Sequence, residues 1–178
     1  MKSIDTVDRR ILKILQENAR TPNVEIARRL KLAPSAILER IRKLEKRGAI
    51  RGYEAQLDAP MLDVGLVAFI FVRADERVGS TAIGEALARV PGVQEVHHVA
   101  GEDCYLVKLR AAGTEALGKL LRERFGAIRG ITSTRTTVVF TTVKETAKIP
   151  LDEQDRTQES GIRNQTRKES AVRNQAQE

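Results

Sequence analysis

The sequence predicts an α+β chain, with an N-terminal winged-type helix-turn-helix domain followed by a ferredoxin-like β-α-β-β-α-β domain. Three observations carry that expectation. Residues 1–52 contain three stretches with apolar residues at helical spacing, and a few residues join the second to the third. From residue 64 on, strand-like apolar runs and amphipathic helical runs follow one another as strand, helix, strand, strand, helix, strand. The positive charge is confined to the first part. Residues 1–52 hold fourteen Lys/Arg against six Asp/Glu, whereas residues 53–178 hold seventeen against eighteen. A polyanion partner is therefore expected for the first part alone.

The first helix is expected in "DTVDRRILKILQEN". Asp5 is its N-cap, Asp8 suits the helix dipole, and Val7, Ile11, Ile14 and Leu15 form the inner stripe. "ARTPN" interrupts the pattern, with Thr21 and Pro22 as cap and first-turn pair. "NVEIARRL" is the second helix, with Val24, Ile26, Ala27 and Leu30 inward. "KLA" leaves room only for a tight turn. Pro34 then opens the third helix, "PSAILERIRKLEKR", in which Ile37, Ile41 and Leu44 are the buried stripe and Gly48 stands just past the end. An extended segment, "AIRGYEAQLD", follows.

A longer, basic helix after a tight turn is the reading element of a helix-turn-helix. Burying Ile37, Ile41 and Leu44 leaves Ser35, Ala36, Glu39, Arg40, Arg42, Lys43 and Lys46 outward or sideways. Small Ser35 and Ala36 permit close approach to a groove, and Glu39 suits a cytosine amine. Arg40, Arg42, Lys43, Lys46 and Arg47 suit guanine edges or phosphates, as do Arg28, Arg29 and Lys31 from the helix before. A solvated basic face is the bland alternative. The tight turn and the localised charge favour duplex DNA.

In the second part, "VGLVAFIFVRA" is a buried strand and "STAIGEALARV" a helix capped by Ser80. "VQEVHHVA" and "CYLVKLRA" are strands joined by "GED". "TEALGKLLRERF" is a helix capped by Thr114, and "ITSTRTTVVFTTVKE" is a last strand rich in Thr and Val. Two helices cover one face of such a sheet. The other face requires a cover, and self-association is the simplest.

"IDTVDRRILKILQENARTPNVEIARRLKLAPSAILERIRKLEKRGAIRGYEAQLD" resembles the DNA-binding half of the Lrp/AsnC, or feast/famine, transcription regulators. "LERIRKLEKRGAIRGY" is especially close, and the resemblance extends to about Leu151. Lys31 stands where that family usually has Gly, and Ala33 where it usually has Ser before the proline. The first departure puts a side chain in a left-handed turn, and the second forfeits a cap of roughly 1 kcal/mol. The resemblance implies that the second part is an effector-binding and oligomerisation (RAM-type) domain that dimerises through its sheets. It also implies an amino-acid effector, and assembly of homodimers to a tetramer or octamer.

"VHHVAGEDCYLV" gathers both histidines, the only cysteine and two acids. His97 and His98 are adjacent on a strand and so point to opposite faces. No CxxC or HxxxH spacing exists, and no metal site is expected. Cys104 opens a strand, away from any helix N-terminus that would lower its pKa, so an enzyme is not expected. "AGEDCYLV" matches the family's Gly-Asp-x-Asp-Tyr-Leu-Leu turn beside the amino-acid pocket. Carried over by position, the effector residues are Gly101, Glu102, Asp103, Cys104 and Tyr105. Thr134 and Thr136 would line the pocket from a neighbouring subunit. Cys104 occupies the family's second Asp, the natural partner of a ligand ammonium, so conventional leucine- or asparagine-like recognition is not implied.

The domains expected are 1–52, helix-turn-helix; 53–63, an extended linker or hinge strand; 64–147, the ferredoxin-like effector and oligomerisation domain; and 148–178, a polar, disordered tail. The tail contains the near-repeat "ESGIRNQTRK" and "ESAVRNQAQE". A single cysteine and the lack of a signal peptide or membrane span point to a reducing, cytoplasmic setting. No cofactor is expected. The expected function is sequence-specific transcription regulation in response to an amino acid or related effector. The alternative is a ferredoxin-like small-molecule-binding protein or enzyme whose N-terminal domain is merely basic.

Overall fold

A computed structural model describes residues 4–151. Two compact units divide the described chain. One comprises residues 4–55 with 146–151, and the other is Gln56–Glu145. The near-repeat and residues 152–178 of the expected tail lie outside the described residues.

The first unit is three helices: α1 (Thr6–Glu17), α2 (Asn23–Leu30) and α3 (Pro34–Lys46). Asp5 caps α1 by accepting the Asp8 amide at 2.7 Å. Ile11, Ile26, Ala27, Ile37, Ile41 and Leu44 form the core, with Val7, Ile14, Leu15 and Leu30 packed around it. Val24, expected inward, is 67% exposed instead. In so short a helix, Ile26, Ala27 and Leu30 already make the inner face. The expected Thr21–Pro22 cap also differs. Pro22 itself occupies the N-cap of α2, and Thr21 donates its hydroxyl back to the Asn18 carbonyl.

Lys31 ends α2 with φ 55° and ψ 45°, the left-handed conformation a turn this tight demands. Its amide bonds Arg28 and the Leu32 amide bonds Ala27, which closes the last turn. Ala33 at the N-cap of α3 makes no side-chain cap. Gly48, at φ 71°, terminates α3 while the Ala49 amide reaches the Leu44 carbonyl. No strand follows α3 within this unit's described residues, so the helix-turn-helix carries no β-wing there. The expected hinge strand over 53–63 is likewise unpaired chain ending in a 3-10 turn, Pro60–Leu62. At residues 146–151, the Ile149 backbone exchanges two hydrogen bonds with the Gln16 amide group.

The second unit has β1 (Leu66–Ala74), α4 (Ala82–Ala88), β2 (Val93–His98), β3 (Tyr105–Ala111), α5 (Thr114–Leu120) with a π turn (Leu121–Phe125), and β4 (Ile131–Val138). The sheet is antiparallel in the order β2-β3-β1-β4, as a β-α-β-β-α-β chain requires. Ala68, Ile70 and Val72 of β1 and Tyr105, Val107, Leu109 and Ala111 of β3 alternate onto the face that buries Ile83, Leu87, Leu117 and Phe125. The opposite face holds Phe69, Phe71, Leu106, Lys108 and Arg110, all half-buried.

Two caps and one strand differ from expectation. Thr81 and Gly113 hold the N-cap positions of α4 and α5, and Thr114 is the first helical residue. Ser80 still accepts the Ala82 amide at 3.3 Å. β4 stops at Val138 rather than running to Glu145. The Val139 amide bonds the Val67 carbonyl, and β1 itself begins at Leu66, so the Thr/Val-rich run then has no partner strand.

Candidate functional site

Two surfaces collect the residues singled out by the sequence. The first is the outer side of α3. Ser35, Glu39, Arg42 and Lys46 recur at four, three and four residues, and all are exposed. Lys43 joins this row. It is tied to Glu39 at 2.5 Å, and the pairing holds the Glu39 carboxyl below its ordinary pKa. Ala36 is half-buried, while Arg47 is exposed past the end of the helix. Leu38, 38% exposed, borders the row and offers an apolar contact of the kind a thymine methyl accepts. The sequence reading passed over it because a leucine on an amphipathic helix reads as core.

The neighbouring cations are partly engaged. Glu25 accepts both Arg28 and Arg29, each at 2.9 Å, and those bonds bring its pKa down to about 2. Both arginines remain exposed on α2, and Lys31 is exposed in the turn. Arg40 behaves differently. Its Nη1 donates to Asp5 Oδ2 at 2.6 Å and to Asp8 Oδ1 at 2.7 Å on α1. It therefore stands beside the buried stripe, apart from the outward row.

The second surface is the turn between β2 and β3. Gly101 has φ 135°, and nothing lies within 4 Å of where a Cβ would stand. That combination permits the chain reversal and leaves the backbone open to a small ligand. Among the described residues, the amides of Gly101, Glu102 and Asp103 make no backbone hydrogen bond. Glu102 pairs with Arg73 at 2.7 Å, and Asp103 with Arg135 at 3.2 Å. Arg135 also lies over the Phe71 ring, 4.0 Å from its centroid. Cys104 donates its thiol to the Ala74 carbonyl at 3.3 Å.

Tyr105 lies beneath the turn, 1% exposed. Its hydroxyl donates to Glu76 at 2.6 Å, and its ring stacks on His98 at 5.0 Å. Burial, then the Glu76 carboxylate, pushes its pKa up to about 12. Glu76 also accepts Ser80 Oγ and the Ile83 amide, and the hydroxyls of Ser80 and Tyr105 bring its pKa down to about 2. Glu76 was not foreseen from the sequence, because the partner that ties it to the turn, Tyr105, is twenty-nine residues away. The two histidines do point to opposite faces. His97 meets Glu95 at 3.1 Å on the open face, while His98 stacks on Tyr105.

Thr134 pairs with Val72, at the same end of the sheet as the turn, and Thr136 lies opposite Ile70, one step inward. A cavity of about 290 Å³ lies at the other end of β1, lined by Pro60, Gly65, Val67, Arg110, Val139, Phe140, Thr142 and Glu145. It includes none of the turn residues. No His/Cys/Asp/Glu cluster able to hold a metal occurs among the described residues, and none of their helices is long and apolar enough to cross a membrane.

Comparison with known proteins matches these surfaces to two family models. Residues 4–45 match the AsnC-type helix-turn-helix domain, and residues 67–149 match the Lrp/AsnC ligand binding domain. An uncharacterized HTH-type transcriptional regulator of Pyrococcus horikoshii is 38% identical over 144 residues, covering 80% of this chain and 96% of that protein. The Leucine-responsive regulatory protein of Escherichia coli K12 is 37% identical over 152 residues, covering 83% and 92%. Among solved structures, a transcriptional regulator of Neisseria meningitidis in complex with L-Met is 30% identical and superposes with a TM-score of 0.76. That match covers 84% of this chain and 98% of the other.

Proposed function

The chain belongs to the Lrp/AsnC family of transcription regulators, and we propose that it reads operators with the outward face of α3 and responds to a small α-amino acid at the β2–β3 turn. The observation that carries the DNA half is the exposed row Ser35, Glu39, Arg42 and Lys46, flanked by Lys43, on a helix whose opposite stripe of Ile37, Ile41 and Leu44 is buried in the core. Arg28, Arg29, Lys31 and Arg47 take phosphates at its margins, and phosphate contacts set register while the row reads base edges. The positive excess of residues 1–52 supports the same assignment.

The effector half rests on Gly101. Its open surroundings and the unpaired amides beside it suit a carboxylate. Asp103 and Glu102 are the nearest acids for an ammonium group, since Cys104 donates inward instead of accepting. The cavity described above lies at the other end of β1, away from the turn, and a second copy would close the effector site. We assign that role to homodimers formed through the open face of Phe69, Phe71 and Leu106, assembling further to a tetramer or octamer. The family is one of transcription regulators, and no enzymatic role is assigned. Effector binding then favours one arrangement of paired helix-turn-helix units, and so one spacing of half-sites. The neisserial relative solved with L-Met supports an amino acid as the class of ligand.

The test of the DNA half is charge reversal. Arg42→Glu with Lys43→Glu should abolish salt-sensitive binding to duplex DNA while the far-ultraviolet spectrum and melting stay those of the wild type. Wild-type affinity should fall steeply with salt as phosphate contacts displace counterions. Unchanged affinity in the double variant removes α3 as the reader.

A further inference from the structure

Arg40 was expected among the DNA-facing residues, yet its described hydrogen bonds go to Asp5 and Asp8, at the start of α1. One guanidinium nitrogen bridges Asp5 Oδ2 at 2.6 Å and Asp8 Oδ1 at 2.7 Å. Asp8 is 8% exposed, the one buried charged residue among those described. Asp5 is also the N-cap of α1. Bonds from both carboxylates raise the Arg40 pKa. On α3, Arg40 sits beside Ile37, Ile41 and Leu44 and is only half-buried, whereas Lys43 in the outward row is 67% exposed.

These facts bear on what Arg40 can do. Swinging it to a phosphate would leave Asp8 buried without its cation, a state whose cost exceeds the gain of one exposed phosphate contact. The apolar stripe alone is also a loose guide for α3. Ile, Leu and Ala surfaces tolerate small shifts, while base reading needs the helix placed to within a fraction of an ångström. A guanidinium held by two carboxylates on another helix supplies that restraint.

We propose that Arg40 is a positioning residue: by bridging Asp5 and Asp8 it fixes the angle of α3 against α1, and it does not itself touch DNA. This rests on α3 being the reader. The two ideas fail separately, because charge reversal at Arg42 and Lys43 tests the reader without touching the bridge.

The experiment uses the full chain and two probes: the highest-affinity 30-base-pair duplex that the wild type selects from a random-sequence pool, and poly(dI-dC). The decisive variant is Asp8→Asn, because the two roles of Arg40 predict opposite signs. A positioning role predicts weaker binding to the selected duplex, by about tenfold, the effect of a coupling near 1.4 kcal/mol. Binding to poly(dI-dC) and the slope of log affinity against log salt stay unchanged. If Arg40 contacts DNA, Asp8→Asn frees it and removes a competing negative charge, so affinity rises. Arg40→Gln should likewise weaken only the selected duplex. A drop in its salt slope by about 0.9 would instead reveal a lost phosphate contact. Should circular dichroism show Asp8→Asn unfolded, Arg40→Lys decides. An ammonium keeps the charge but ends nearer the backbone than Nη1 and falls short of the two carboxylates, so the bridge predicts loss on the selected duplex, and a phosphate contact on the flexible stem predicts none. Affinity for the selected duplex unchanged in Arg40→Gln, or raised in Asp8→Asn, overturns the proposal.

Discussion

Gly84 tests how firmly the effector turn is anchored. It lies within α4, and a Cβ built there would stand 2.6 Å from Tyr105 Cε1, 3.2 Å from Cζ and 3.3 Å from Cδ1. The ring has little freedom to yield, being 1% exposed, bonded through its hydroxyl to Glu76 at 2.6 Å and stacked on His98. Gly84→Ala therefore sets two effects against each other. Alanine in a helix interior gains roughly 1 kcal/mol over glycine. Overpacking a filled core costs roughly 1–3 kcal/mol, and the upper half applies where the neighbour is held at both ends. The net expectation is a loss of about 1–2 kcal/mol, read as a lower urea midpoint at unchanged m. In a Tyr105→Leu background the obstruction is gone, and the same substitution should be neutral or stabilising. If Gly84→Ala is as stable as wild type, the ring moves freely, and the anchoring of the turn through Tyr105 and Glu76 is wrong.

Two further outcomes follow from the same end of the sheet. The pKa of Glu76, brought down to about 2 from an ordinary 4.5, means that its contribution is present above pH 4.5 and is lost as pH falls toward 2. The urea midpoint should decline across that window, and Glu76→Gln should flatten the decline while lowering stability at pH 7. At Cys104, substitution by Ser keeps a donor for the Ala74 carbonyl, whereas Asp sets one acceptor against another. Cys104→Asp should therefore cost about 1–3 kcal/mol at pH 7 and Cys104→Ser clearly less, compared by urea unfolding. Equal costs would show that the thiol bond to Ala74 contributes nothing.

Local patterns carried most of the fold. The spacing of Ile37, Ile41 and Leu44 identified the buried stripe of α3, three residues between helices implied a tight turn, and the family's usual glycine at position 31 implied that Lys31 is left-handed there. The alternation of β1 and β3, with their two helices, fixed the order of the second unit. What escaped the sequence is what long-range partners decide. The Thr/Val-rich run after Val138 has the propensity of a strand but no neighbour to pair with. Val24 is apolar at a helical position, yet a short helix buries only one narrow face. Arg40 looked like any other cation on α3, because Asp5 and Asp8 lie more than thirty residues earlier. Tyr105 read as a pocket aromatic, while its hydroxyl belongs to Glu76, twenty-nine residues away.

The proposed regulation joins two surfaces, a reading row on α3 and an effector turn at Gly101. Binding of the full chain to genomic fragments, measured with and without each common amino acid at fixed salt, tests it most directly, with Gly101→Trp run in parallel. At least one amino acid should change fragment affinity or the pattern of occupied half-sites in the wild type. In Gly101→Trp that response should vanish while binding without amino acid persists, because an indole fills the space the glycine leaves open and a side chain at φ 135° strains the turn locally. Fragment binding indifferent to every amino acid, or a response that survives Gly101→Trp, would contradict it.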